Sequence, residues 1–91
     1  MIEMRAGNQT VTLTDIGVEG DPGGPDWSIK GKTSDEGLSQ LSRWKDKGQV
    51  IEIRFPGDVA KLATIRTTHT RYGGENNSTV TVYLALPKST S

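Results

Sequence analysis

Cysteine is absent from this chain, which excludes disulfides and thiolate metal sites from anything it does. Histidine occurs once, at His69, so a metal site would have no second imidazole or thiolate to complete it. Asp15, Asp21, Asp26 and Asp58 are scattered without the spacing of a calcium loop. Aromatic residues make up only 5% of the sequence, as Trp27, Trp44, Phe55, Tyr72 and Tyr83. Net charge is also lacking: eleven basic residues balance eleven acidic ones, so no global field draws the protein toward nucleic acid or an anionic membrane. No stretch approaches the roughly 18 apolar residues of a membrane-spanning helix. The N-terminus alternates polar and apolar from the start and predicts neither a signal peptide nor an anchor. Without such a signal, the acceptor-like triplets Asn8-Gln9-Thr10, Asn76-Asn77-Ser78 and Asn77-Ser78-Thr79 are read as turn and strand-entry residues.

What is present fits a small scaffold. Ninety-one residues predict a single domain spanning 1–91, with 88–91 as a frayed, disordered tail. A domain of this size buries only about 60–65% of the surface its unfolded chain exposes, so its core is thin. Threonine occurs eleven times, a composition suited to strand faces in contact with water. A thin-cored, Thr-rich β scaffold gains stability when neighbouring subunits bind its folded form.

Residues 10–18 alternate, with Val11 and Leu13 on one side, and Ile16 and Val18 restart the beat beyond Asp15; this is a half-buried strand. Residues 20–26 crowd Gly, Pro and Asp together and predict a loop. Trp27 and Ile29 mark a short strand that Gly31 weakens or bulges. Thr33 and Glu36 form a capping box, Lys45 and Lys47 suit the far end of the helix dipole, and Gly48 suits a left-handed cap. The helix, about residues 34–47, carries Leu38, Leu41 and Trp44 on its apolar stripe. Residues 49–55 are the strongest strand, with Ile51, Ile53 and Phe55 on one face. A Thr-rich run over 61–72, in which Leu62 and Ile65 are the large aliphatics, leads to a hairpin tip at 73–77 and a return strand over 79–86 bearing Val80, Val82, Leu84 and Leu86. No internal repeat shows in the sequence. The expected fold is α+β: a mostly antiparallel sheet or small open β-barrel with one flanking helix.

Candidate chemistry is sparse. Gly31-Lys32-Thr33 before a helix has the ending of a phosphate-binding loop, but Asp26 stands where its first glycine belongs. His69 lies between Thr68 and Thr70, whose side chains point to the opposite strand face, so it cannot activate either. Arg54, Arg66, Arg71 and Lys61 form a candidate basic stripe, with Trp27 as an aromatic platform; Glu52 and Glu75 dilute it. No catalytic residue, cofactor or metal is expected.

Taken in order, Thr10-Val11-Thr12-Leu13-Thr14-Asp15-Ile16-Gly17-Val18, a Gly-Gly loop, the helix Ser39-Gln40-Leu41-Ser42-Arg43-Trp44-Lys45-Asp46-Lys47-Gly48, the strand at Ile51-Glu52-Ile53 and a hairpin ending Val80-Thr81-Val82-Tyr83-Leu84-Ala85-Leu86 resemble small bacteriophage tail proteins. The pattern is similar to the U-type tail protein of temperate contractile-tailed phages and to tail-tube and distal-tail domains. That resemblance implies a virion structural role without catalysis, in the tail, after synthesis in the host cytoplasm. The implied partners are further copies of the chain in a ring and other tail proteins; a membrane is not expected, and nucleic acid, for which the charge balance and few aromatics argue poorly, enters only with the alternative below. The candidate subunit contacts are Asp21, Pro22, Gly23 and Gly24 in the first loop, Gly73, Gly74, Glu75, Asn76 and Asn77 at the hairpin tip, and Arg66 and Arg71 on the strand between them. The alternative is a small ligand- or nucleic-acid-binding β-barrel module.

Overall fold

A computed structural model describes residues 1–21, 24–73 and 78–87. Its elements run β1 (Ile2–Ala6), β2 (Gln9–Gly20), β3 (Trp27–Thr33), α1 (Asp35–Lys47), β4 (Val50–Arg54), β5 (Lys61–Arg71) and β6 (Ser78–Ala85). Among the described residues the sheet is antiparallel and is accompanied by one helix, as expected, but the barrel is closed rather than open. Its strand order is β1-β2-β3-β6-β5-β4, and β1 completes the circle against β4 through Glu3↔Arg54, Met4↔Ile53 and Arg5↔Glu52. The strand that closes it, Ile-Glu-Met-Arg-Ala, carries the alternation already visible at the N-terminus. Ile2 and Met4 point into the core while Glu3 and Arg5 are exposed.

The barrel consists of two three-stranded meanders, β1-β2-β3 and β4-β5-β6, joined along two seams. Each meander has a five-residue first strand, a long middle strand of twelve or eleven residues and a last strand of seven or eight. Each middle strand carries an irregularity, between Thr14 and Gly17 in β2 and between Ile65 and Thr67 in β5. This internal correspondence is one of pairing, not of sequence, which is why no period revealed it.

In β2 the bulge is built on Asp15, at φ 51, a left-handed conformation that Asp adopts more readily than most residues. The extra residue reverses the alternation, which explains the broken beat there. Opposite it, Gly31 lies within β3 rather than weakening it. A Cβ on Gly31 would sit 3.0 Å from Leu13 Cβ and 3.1 Å from Thr14 O, so any side chain there would force β2 to give way by a few tenths of an ångström.

Inside lie Ile2, Met4, Val11, Leu13, Ile29, Ile51, Ile53, Ala63, Ile65, Val80, Val82 and Leu84. In β5 the inward apolar positions are Ala63 and Ile65, whereas Leu62 faces out and is 57% exposed. Leu86, expected on the core face, falls past the end of β6 and is exposed. Val18 is likewise exposed, on the part of β2 that runs beyond the bulge.

Each end of the barrel is stopped differently. Helix α1 packs against β2 and β5, which stand across the circle from each other; a helix touching both spans the mouth. It buries Leu41 and Trp44 there, with Leu38 partly covered. At the opposite mouth Trp27 and Phe55 meet with ring centroids 6.1 Å apart.

The helix start differs by one residue from the expected capping box. Thr33 ends β3 and is buried, and Ser34 is the N-cap, its Oγ accepting from the Gly37 N–H at 3.2 Å. Thr33 packs so closely on Gly37 that a Cβ there would collide with its hydroxyl. The C-terminus ends as expected: Gly48 takes φ 61 and donates to Lys45 O, and Gln49 N donates to Trp44 O at 3.0 Å, so two terminal carbonyls are satisfied. Ser34→Ala is expected to lower stability by about 0.5–2 kcal/mol, measured as a shift of the urea midpoint at unchanged m-value. An unchanged midpoint would show that the cap contributes nothing.

Candidate functional site

Because Ile29, Gly31, Val80 and Val82 point inward, the residues between them point out, and the ladder register groups them in rows across β3, β6 and β5. Lys30 pairs with Thr81, which pairs with His69. Lys32 pairs with Thr79, which pairs with Arg71. Ser28 pairs with Tyr83, which pairs with Thr67. Neighbouring strands are about 4.8 Å apart and successive rows about 7 Å apart, so these side chains share one patch. Lys30, His69, Thr70, Arg71, Thr79, Thr81 and Tyr83 line a shallow depression on it.

The patch is basic, and no carboxylate lines the depression among the described residues. Two described acids of β2 border it: Asp15, placed by the bulge so that its Oδ2 lies 3.5 Å from Lys32 Nζ, and Glu19, which pairs with Ser28 at the end of the Tyr83 row. The Asp15–Lys32 contact is exposed and contributes little stability. Tyr83 is the aromatic member, 38% exposed, its ring outward because Val82 and Leu84 on either side are buried.

The four residues of the candidate basic stripe do not come together. Arg54 Nε donates to Glu52 Oε1 at 3.1 Å on β4, and Arg66, the extra residue of the β5 bulge, donates from Nη1 to Asp26 Oδ1 at 3.1 Å. Lys61 lies at the opposite end of β5 from Arg71. Of the four, only Arg71 joins the patch. Trp27 is not a platform either, since it is 3% exposed inside the barrel mouth. Lys30 and Tyr83 were missed as partners because alternation shows which face a residue takes but not which residue faces it across the next strand.

Among the candidate contact residues, Asp21 is exposed and its carbonyl accepts from Gly24 N at 2.8 Å. Gly73 is exposed, as are Arg66 and Arg71. Pro22, Gly23, Gly74, Glu75, Asn76 and Asn77 lie outside the described residues, as does the tail at 88–91.

A second groove runs between β2 and the helix start, with Asp15, Lys32, Asp35, Glu36 and Arg43 among its lining. Its charges are mixed. Gly31-Lys32-Thr33 does not form a phosphate cradle beside it: Gly31 is in the ladder opposite Val80, Lys32 faces Asp15, and Ser34 caps the helix amide of Gly37. Among the described residues no group of three or more His, Asp and Glu is placed to share a metal ion, and no helix is long and apolar enough to cross a membrane.

Compared with known protein families, curated proteins and solved structures, the chain matches none of them.

Proposed function

We propose that this protein is a non-enzymatic structural subunit of a bacteriophage tail or tail-derived particle, assembling with copies of itself into a ring or tail layer. The observation that supports assembly is the distribution of exposed apolar side chains. Met1 precedes β1, Val59 lies between β4 and β5, Leu62 is near the start of β5 and Leu86 follows β6; the antiparallel order places all of these at the Trp27–Phe55 end of the barrel. Each is more than half exposed. Single exposed apolar residues are ordinary, whereas a group of them at one end of a small domain marks a contact surface.

A closed barrel has no free strand edge, so copies cannot join by extending a sheet. They must meet through outer faces and projecting loops. The loop around Asp21 and Gly24 is at the apolar end, while Arg71 and Gly73 are at the helix end. Contacts on opposite ends suit a head-to-tail arrangement, which repeats into rings or stacks.

The test is the solution mass of the wild type beside a Val59→Ser/Leu62→Ser double variant. Wild type is expected at a multiple of 9.9 kDa, and the variant at a smaller mass with its melting temperature nearly unchanged, because both side chains are already exposed. A wild type that stays monomeric up to high concentration, or a variant that assembles equally well, overturns the proposal.

A further inference from the structure

We infer that the outer face of β3, β6 and β5 is a binding surface for single-stranded nucleic acid, a second activity that stands whether or not the chain assembles. The inference rests on the juxtaposition of Lys30 and Lys32 on β3 with His69 and Arg71 on β5 across the threonine column of β6.

The arrangement has the two parts such a ligand requires. Charge comes first. Lys30, Lys32 and Arg71 surround Thr79 and Thr81 in two rows, and those rows are about 7 Å apart, close to the separation of successive phosphates in an extended polynucleotide. Lys30 and Arg71 make no ion pair among the described residues. Their charges are spread over strands that lie two ladder spacings apart, about 10 Å, a footprint wider than one phosphate and suited to a repeating anion. The threonine hydroxyls between them add donors that carry no charge.

Stacking is the second part. Tyr83 is two residues along β6 from Thr81, on the same face and in the adjoining row. A base leaving the phosphate track can lie against its ring, and this contact is available to any base because each has a π-face. The outward curvature of the barrel decides between strand forms. A convex sheet meets a rigid duplex at few points and enters neither groove, whereas a flexible single strand follows the surface.

Neutral overall charge does not oppose this. Of the eleven acidic residues that cancel the basic ones, Glu3, Asp46, Glu52 and Asp58 lie on β1, the later part of the helix, β4 and the loop after it; Asp15 and Glu19 border the β3 edge of the patch, on the Lys32 and Ser28 side, and leave Lys30 and Arg71 without an ion pair among the described residues. The field at the patch is local.

The experiment is fluorescence anisotropy of a labelled twelve-nucleotide oligo(dT) against the purified protein, beside a duplex of the same length. Wild type is expected to bind the single strand more tightly than the duplex. Neutralising about three phosphates gives a slope of about −2 in log K against log salt. Lys30→Glu/Arg71→Glu should reduce affinity at least about tenfold and flatten that slope, and Tyr83→Ala should reduce affinity about fivefold or more at unchanged slope. Arg54→Glu, at the end of β4 away from the helix and outside the patch, should bind as wild type does. Circular-dichroism melting of each variant separates lost binding from lost folding. No binding by folded wild type at low salt, equal binding of duplex and single strand with Tyr83→Ala unaffected, or an equal loss in Arg54→Glu overturns the inference. So does a fall in oligomer mass for Lys30→Glu/Arg71→Glu without any oligonucleotide binding by wild type, since the face would then hold another copy of the chain.

Discussion

Trp44→Ala is expected to destabilise the protein by about 3–5 kcal/mol, a large share of the roughly 5–15 kcal/mol that holds a typical domain folded. Trp44 is 3% exposed and descends from a helix that bridges two strands on opposite sides of the barrel. Truncation leaves a hole at the mouth that neither strand can move to fill, since each is fixed in its own ladder on both sides. Urea denaturation measures the loss, and the melting temperature should fall by well over ten degrees, at about 4–8 °C per kcal/mol for a domain this small. Arg43→Ala, on the exposed side of the same helix, should change stability by less than about 0.5 kcal/mol. If Trp44→Ala melts within a degree or two of the parent, the helix is not the stopper of the barrel.

Trp27→Ala should have an effect of similar size, about 3–5 kcal/mol, at the other mouth. Here a second substitution separates packing from hydrogen bonding. Trp27 Nε1 is buried without a partner among the described residues, and an unsatisfied buried donor costs about 1–3 kcal/mol. Trp27→Phe removes the donor while keeping an aromatic ring against Phe55, so its cost should be about 1 kcal/mol or less. A double-mutant cycle with Phe55→Ala should return a coupling of about 0.5–1.5 kcal/mol for the ring pair. Equal losses for Trp27→Phe and Trp27→Ala would mean that the indole nitrogen, rather than the ring, is what matters there.

Much of the fold was legible because local patterning and tertiary packing agree. Ile51 and Ile53, Val80, Val82 and Leu84, and Leu41 and Trp44 are buried at the spacings of their elements. Asp15, where the alternation of β2 breaks, is the bulge itself. The misreadings come from effects that periodicity does not carry. Leu86 continues the alternation of Val80, Val82 and Leu84 yet is exposed, because β6 ends at Ala85 and alternation does not mark where a ladder stops. Thr33 and Ser34 are both competent caps, and the burial of Thr33 against Gly37 decides between them. Closure depends on β1 meeting β4, which no adjacent segment announces. The basic patch was hidden for the same reason: Lys30, Thr81 and His69 are one row in space but three separate places in the chain.

The two-meander construction also governs how the chain reaches its native state. Each half is formed by neighbouring segments and closes quickly by hairpins, yet a lone three-stranded meander leaves its apolar face open to water until the other half covers it. Both seams, β3 with β6 and β1 with β4, join residues some fifty positions apart. The search for those distant pairings sets the speed, placing the protein among domains that fold in milliseconds to seconds rather than microseconds. The β1–β4 seam has the shorter register, only three residue pairs against seven between β3 and β6. The stave that completes the circle is therefore also where the native protein is expected to open first, read as the earliest amide exchange among the strands.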